Sequence, residues 1–343
     1  MVADRYKILR EVGLGTFGRV VECLDLKRGD RSRRNRRNET AFVALKIVRK
    51  IKRYHDSALI EAGIVDAVNR RGGRGLSHCV VLHDAFSFEG HFCLVFESLG
   101  PSLYDFLKSH NYQPFPMVCV QDFTVQLLEA LEFLHSFRLV HTDLKIENIL
   151  LMNDREVVYG NQRVPESTRL KLIDFGGACY DIDKKSSVIN TRQYRAPEVI
   201  LGTGWSMPSD MWSVGCILAE LYQGELLFAT HDNIEHLALI ERIIGPFPRR
   251  MIKAAKTTGS QSDIAKEAFD SDGRHRMDRT LPPESASFVR QSPRLERLIR
   301  NPGDAWFLDL LRKILVIDPN ERATAHECLQ FLSRIRRNEV RYC

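Results

Sequence analysis

No apolar run in this sequence approaches the roughly 20 residues that a helix needs to cross a bilayer. The N-terminus Met1-Val2-Ala3-Asp4-Arg5-Tyr6 has no apolar core of the kind a signal peptide carries. Membrane insertion and secretion are therefore not expected, and an intracellular location, nucleus or cytoplasm, is. The eight cysteines, at 23, 79, 93, 119, 179, 216, 328 and 343, include no C-x-x-C pair. Neither a zinc site nor a disulfide framework is indicated, and free, mostly buried thiols are the expectation. The absence of an internal repeat excludes a solenoid or propeller. What remains has the composition of an ordinary globular protein, 44% apolar over 343 residues, enough for a substantial core.

The formal charge of +6 is unevenly placed. Residues 1–96 hold 19 Lys/Arg against 11 Asp/Glu, whereas residues 97–343 hold 31 against 33. Much of the excess lies in Lys27, Arg28, Arg31, Arg33, Arg34, Arg36 and Arg37, crowded around Gly29 and Asp30. That stretch reads as a loop, and a nuclear-import signal, an anion-contact surface and a plain solvated loop all fit it. It lacks the aromatic interleaving of a single-strand nucleic-acid platform, so direct nucleic-acid binding is not expected.

Tyr6–Glu11, Arg19–Leu24 and Phe42–Val48 are β-branched, apolar-rich runs, the first two joined by a glycine-rich turn. Tyr54–Val68 carries helical periodicity, and Val80–Asp84 and Phe92–Glu97 read as two further strands. Beyond Gly100-Pro101 the pattern turns helical: Phe123, Leu127, Leu131 and Leu134 form one stripe, and Ser209–Leu221 is apolar nearly all round, as a central buried helix should be. Ala254–Pro293, rich in Ser, Thr, Asp and Gly, is expected as a polar surface insertion, and Leu308–Ile317 and Thr324–Ile335 as helices.

Gly13-Leu14-Gly15-Thr16-Phe17-Gly18-Arg19-Val20 fits G-x-G-x-x-G-x-V. A dinucleotide turn shows similar glycines but opens a helix, whereas here a strand follows. In that setting Gly13, Gly15 and Gly18 let a strand–turn–strand flap lie over phosphates, with Val12 and Val20 roofing an adenine; a plain hairpin turn is the competing reading. Val43-Ala44-Leu45-Lys46 matches V-A-I-K, in which one lysine among apolar residues reaches the α- and β-phosphates. An inward lysine needs a carboxylate partner. Glu61, in the following helix, is the candidate, with Asp56 and Asp66 as competitors.

His141-Thr142-Asp143-Leu144-Lys145-Ile146-Glu147-Asn148 has the spacing of H-R-D-L-x-x-x-N, and Asp174-Phe175-Gly176 follows. Asp143 would accept the proton of an attacking hydroxyl, Lys145 would offset charge on the moving phosphoryl group, and Asn148 and Asp174 would hold magnesium. Each piece alone is an ordinary loop; together, in this order, they specify phosphoryl transfer from ATP. His141 reads as a packed residue stacked on Phe175 rather than as an acid or base. Ala196-Pro197-Glu198 completes the set, and buried Glu198 would need a cation, for which Arg322 is the candidate.

With these residues, positions 4 to about 335 resemble a eukaryotic protein kinase. The resemblance implies one α+β, bilobal domain over 1–343: a small β-rich lobe, 1–97, and a larger, mainly α lobe, 98–343 with the insertion at 254–293. Thr191-Arg192-Gln193-Tyr194-Arg195-Ala196-Pro197-Glu198 is similar to the T-R-x-Y-R-A-P-E of the CMGC group. Thr142 in place of the usual arginine, and Glu235 to Pro246 beside the signature E-H-L-A-M-M-E-R-I-L-G-P, resemble the LAMMER (Cdc-like, dual-specificity) branch. Leu239 and Ile240 replace two methionines of that signature, and Ile146 a proline, marking a divergent member.

The resemblance implies further roles. Phe96 takes the gatekeeper position, Glu97 offers a carbonyl and Leu99 an amide to adenine, Ala44 and Leu150 line the pocket, Ser102 reaches the ribose, and Val65 stacks above Phe175. Between the D-F-G and A-P-E motifs lie Ser186, Ser187, Thr191 and Tyr194, with autophosphorylation implied; Thr191 is expected to bond Asp143 and Lys145 rather than to accept phosphate. Thr142 removes the arginine that clamps an activation-loop phosphate, so strict dependence on that phosphate is not expected. LAMMER-like substrates are Arg/Ser-rich proteins, for which Glu147 and, more weakly, Asp105 are candidate contacts, in nuclear processes such as splicing or in cell-division control. A monomer using ATP and Mg²⁺ is expected. The alternatives are another CMGC kinase, of the dual-specificity tyrosine-regulated type (whose Tyr-x-Tyr pair is absent) or the SR-protein-kinase type, and a pseudokinase scaffold, against which Lys46, Asp143 and Asp174 stand.

Overall fold

The computed structural model describes residues 1–15, 17–28, 41–72, 77–183, 186–299 and 301–341, the side chains of 336–341 excepted. Of the basic stretch 27–37 only Lys27 and Arg28 fall within this set; the rest, and Thr16 of the glycine-rich turn, lie outside the described residues.

Five antiparallel strands form the small lobe: β1 (Tyr6–Leu14), β2 (Gly18–Asp25), β3 (Phe42–Val48), β4 (Leu82–Phe88) and β5 (His91–Glu97), in the order β1-β2-β3-β5-β4. Side chains alternate between the two faces. One face buries Tyr6, Val21, Cys23, Val43, Leu45, Cys93 and Val95; the other sets Val48, Phe92 and Leu94 against Ala58 of helix α1 (Lys52–Gly72). Lys46 shares the face of Val48, which turns it toward α1. Along α1, Ala58, Glu61, Val65 and Val68 are buried at helical spacing.

The expected fourth strand, 80–84, is displaced to Leu82–Phe88. Val80 and Val81 are apolar for another reason: they belong to a seam between the lobes, where Cys79 bridges Leu172 and the Val80 N–H donates to the Leu172 carbonyl at 2.9 Å. Burial without alternation looks like a strand when only the sequence is read.

The large lobe is helical around Met117–Ser136 and Pro208–Gln223. In the latter, every residue from Ser209 to Leu221 is buried, and the helix ends on Gly224 in the left-handed region (φ 84°). The stretch 254–293 is not a plain surface insertion. Arg249–Thr258, Ser262–Ala268, Met277–Thr280 and Pro283–Gln291 are helical, and Ala255, Ala265, Ala268, Phe269 and Val289 join the main core. Helices this short, buried through alanines, give little periodic signal. Of the seven described cysteines, all but Cys179 are buried.

Candidate active site

The glycine-rich turn is a hairpin between β1 and β2, closed by Gly15 N–H to Gly18 O at 2.9 Å and tied to β3 by Arg49 N–H to Phe17 O at 3.0 Å. No helix opens from it. Gly13 has open space where a Cβ would stand, whereas a Cβ on Gly18 would lie 2.1 Å from the Ile47 carbonyl oxygen. Gly18 is therefore demanded by the approach of β2 to β3 as well as by any phosphate. Val12 is exposed, while Val20 pairs with Lys46 across β2 and β3 and Ala44 pairs with Phe96 across β3 and β5.

Below the hairpin, Lys46 Nζ donates to both oxygens of Glu61, at 2.9 and 2.8 Å, and lies 3.6 Å from Asp174 Oδ1. Burial alone would favour neutral Lys46; the Glu61 and Asp174 carboxylates outweigh it and hold the ammonium protonated. Burial pushes the Glu61 carboxyl up, with Lys46 pulling the other way. The rival acids are engaged elsewhere, Asp66 with Arg70 at 2.6 Å and Asp56 beside His55 at 3.7 Å.

On the other side of the cleft, the catalytic-loop stretch packs through Leu144 and Ile146, both fully buried, so the isoleucine that replaces proline fills core space. Asp143 Oδ2 accepts from Lys145 Nζ at 2.7 Å, and Oδ1 accepts from the Thr191 hydroxyl at 2.8 Å and the Thr191 N–H at 3.1 Å. Lys145 Nζ also donates to Thr191 Oγ1 at 3.0 Å. Burial pushes the Asp143 carboxyl up, but the bonds from Lys145 and Thr191 and the Lys145 charge prevail, holding it below the ordinary carboxylate range. Asn148 Nδ2 donates to the Asp143 carbonyl at 2.9 Å, so its amide oxygen is the atom that could hold a metal.

Asp174 sits in the left-handed region (φ 61°), a strained setting that brings its carboxylate to Lys46 while Phe175 is fully buried beneath α1, sharing the core with Val65. His141 packs on Phe175 at 5.0 Å between ring centroids, its Nε2–H donating to Ile173 O at 3.0 Å. It is a packed residue, as its motif implies.

Thr142 is also left-handed (φ 71°), unusual for a β-branched residue. Its N–H and that of His141 donate to Asp210 at 3.0 and 2.8 Å, and its hydroxyl donates to Gly177 O at 2.8 Å. From the segment before A-P-E, the N–H and the side-chain amide of Asn190 both donate to Thr142 O, at 2.9 and 3.0 Å. Uncharged bonds thus tie Thr142 to Gly177 and to Asn190. Ser186 and Ser187 are exposed, whereas Tyr194 is buried, its hydroxyl donating to Glu220 at 2.6 Å. Burial, then the nearby Glu147 charge, push the Glu220 carboxyl up to about 7 against that hydrogen bond. Glu147 itself is exposed.

Phe96, Glu97 and Leu99 follow one another along the link between the lobes, and Leu150 bridges Ser102 from below. Ser102 and Asp105 bond locally to each other: the hydroxyl accepts from Asp105 N–H at 3.0 Å and donates to the Asp105 carboxylate at 2.6 Å, capping the helix Leu103–Ser109. Glu198 meets Arg322 in a buried two-pronged pair at 2.7 and 2.8 Å.

A protein kinase domain model matches residues 6–332. The chain belongs to the protein kinase family. This kinase is 41% identical to the serine/threonine-protein kinase AFC2 of Arabidopsis thaliana, across 96% of its own length and 76% of the relative's, and 43% identical to AFC3 of the same plant, across 96% and 81%. It is 40% identical to the human dual specificity protein kinase CLK2, across 97% of its length and 65% of the relative's. A solved crystal structure of a kinase domain superposes with a TM-score of 0.85 at 37% identity, covering 96% of this chain and 95% of that one. Within the family the kinase stands on the LAMMER branch, as the Thr142 and Glu235–Pro246 stretches implied.

Two site residues of the kinase escape a motif search. Asp210 anchors the catalytic loop and also meets His135 at 3.1 Å; its signal is a fully buried acid in a largely apolar helix, which must find donors. Asn190 carries no such signal, because its partner is a backbone carbonyl 48 residues away. Among the described residues no group of three or more His, Cys, Asp or Glu could hold a metal by itself, and no helix is long and apolar enough to cross a membrane.

Proposed function

We propose that this kinase transfers the γ-phosphate of MgATP to serine and threonine hydroxyls of arginine-rich protein substrates, with autophosphorylation of its own segment. The observation that carries the reading is the convergence of Asp143, Lys145 and Thr191 on one side of the cleft and Lys46, Glu61 and Asp174 on the other. Asp143 orients the attacking hydroxyl and takes its proton; its depressed carboxyl is ionised at neutral pH. Lys145 faces the charge that develops on the phosphoryl group. Lys46, held by Glu61, meets the α- and β-phosphates. The amide oxygen of Asn148 and the carboxylate of Asp174 are hard oxygen ligands suited to magnesium, which when bound shields phosphate charge. Two protein ligands suffice for an ion that keeps waters and substrate phosphates. Gly13, Gly15 and Gly18 cover the phosphates, Val12, Val20, Ala44, Phe96 and Leu150 enclose the adenine, and the backbone of Glu97 and Leu99 reads it.

The basic substrate class is supported by exposed Glu147, two residues beyond Lys145, with Glu220 behind it and a C-terminal portion of slightly acidic balance. Asp105 supports it less, since its carboxylate is engaged in the helix cap. Nuclear work such as splicing or cell-division control fits the same class. Activation-loop phosphate is not required, on the support of the Thr142–Gly177 and Asn190–Thr142 bonds. Phosphatase-treated protein should keep most of its activity; complete loss defeats that part. Phosphorylation of a peptide library with MgATP, run beside Asp143→Asn and Lys46→Met, tests the chemistry, and undiminished phosphorylation by both variants overturns it.

A further inference from the structure

Lys171 is a buried cation that has no part in the chemistry above. Lys171, 3% exposed, lies three residues before Asp174 on the short strand Leu170–Leu172. Its Nζ is 3.0 Å from Glu97 Oε1 and donates to the Cys79 carbonyl at 3.0 Å. The same Glu97 oxygen accepts the Val81 N–H at 2.9 Å, and the Glu97 N–H donates to Val81 O at 3.0 Å. The strand is sewn to the same loop by Leu172 N–H to His78 O at 2.7 Å. A single ammonium thus ties together the end of β5, the loop that follows α1 and the strand that leads to Asp174.

A buried ion pair is weak evidence for stability, because apolar residues of similar volume hold a core as well or better. Its use must be sought in what it fixes. At Glu97 the β-ladder stops: Ser98, Leu99 and Gly100 have no strand partner, and Gly100 is next held by its N–H to Leu151 O at 2.8 Å. The charge stands where backbone order would otherwise lapse.

We propose that Lys171 is a positioning residue for nucleotide binding: by holding the Glu97 carboxylate it fixes the peptide at the end of β5 that reads adenine. The inference rests on the hinge reading given under the proposed function. Removing the ammonium leaves the Glu97 carboxylate with the Val81 N–H but without a counter-charge, so it seeks water and carries the Glu97 peptide with it. The effect falls on nucleotide affinity and spares the protein substrate, whose contacts lie across the cleft.

The test is ADP binding by calorimetry, with KM for ATP and for peptide, on wild type, Lys171→Met, Glu97→Gln and the double variant. Lys171→Met should weaken ADP at least fivefold and raise KM for ATP in parallel, with KM for peptide within twofold. The double variant, which leaves no orphaned carboxylate, should recover most of that loss. Glu97→Gln keeps a partner for Lys171 and should weaken ADP two- to fivefold, which preserves the test if Lys171→Met does not fold. ADP affinity within twofold of wild type in both single variants, or equal rises in KM for ATP and peptide, overturns the inference while leaving the hinge reading intact. A wild type that does not bind ADP overturns the hinge reading, and the inference with it.

Discussion

Replacing Thr191 by valine keeps the shape of the side chain and removes one hydroxyl. That hydroxyl donates to Asp143 Oδ1 at 2.8 Å and accepts from Lys145 at 3.0 Å. A hydrogen bond to a charged group contributes about 1.5–3 kcal/mol. At about 1.4 kcal/mol per factor of ten, its full loss in the transition state lowers kcat/KM roughly 10- to 150-fold. Asp143 retains the Thr191 N–H at 3.1 Å and Lys145 at 2.7 Å, so the lower part of that range is expected, about 10- to 50-fold. The pH profile should move with it. The Thr191 hydroxyl helps hold the Asp143 carboxyl below its ordinary range; without it the folded-state pKa rises, and the acid limb of kcat/KM shifts to higher pH. Initial rates on a peptide at saturating MgATP between about pH 5 and 8 read both effects, and a melting curve checks that the fold is intact. A rate within twofold of wild type, with an unmoved acid limb, would refute the reasoning.

Arg322→Ala should lower stability by about 3–5 kcal/mol by orphaning buried Glu198, read as a fall in melting temperature of roughly 4–7 °C. Adding Glu198→Gln should recover part of that deficit by removing the orphaned charge. Gly18→Ala should cost about 1–3 kcal/mol in denaturant unfolding because its Cβ meets the Ile47 carbonyl oxygen, whereas Gly13→Ala, which meets nothing, should stay within about 0.5 kcal/mol. Neutral residues in place of peptide arginines should raise KM more than tenfold at similar kcat, and little change removes the case for a basic substrate.

Motif spacing anticipated contacts that link distant parts of the chain. Lys46 with Glu61 and Arg322 with Glu198 meet as charge balance and spacing implied, and Thr191 meets Asp143 as the family resemblance implied. Such pairs are legible because a buried ion demands a counterpart and few candidates exist. The strand expected at 80–84 starts two residues late because the two-sided burial of Val80 and Val81 erases alternation, and the core role of 254–293 is hidden because Ala265 and Ala268 sit in a helix too short to show a period, with Phe269 at its end. Neither Ser102 nor Asp105 signalled that it would turn inward to cap a helix, since the S-x-x-D pattern serves caps and ligand contacts alike. Asn190 and Lys171 were invisible for a third reason: their partners include backbone carbonyls, which every residue has.

The two-pronged grip of Arg322 on Glu198 spans 124 residues of sequence. During synthesis at about 5–20 residues per second, the acid is made roughly 6–25 s before its cation. Until then the Glu198 carboxylate lacks its counter-charge, although the Pro208–Gln223 helix already has Met117–Ser136 to pack on. That corner of the large lobe can therefore close only after nearly the whole chain has been made.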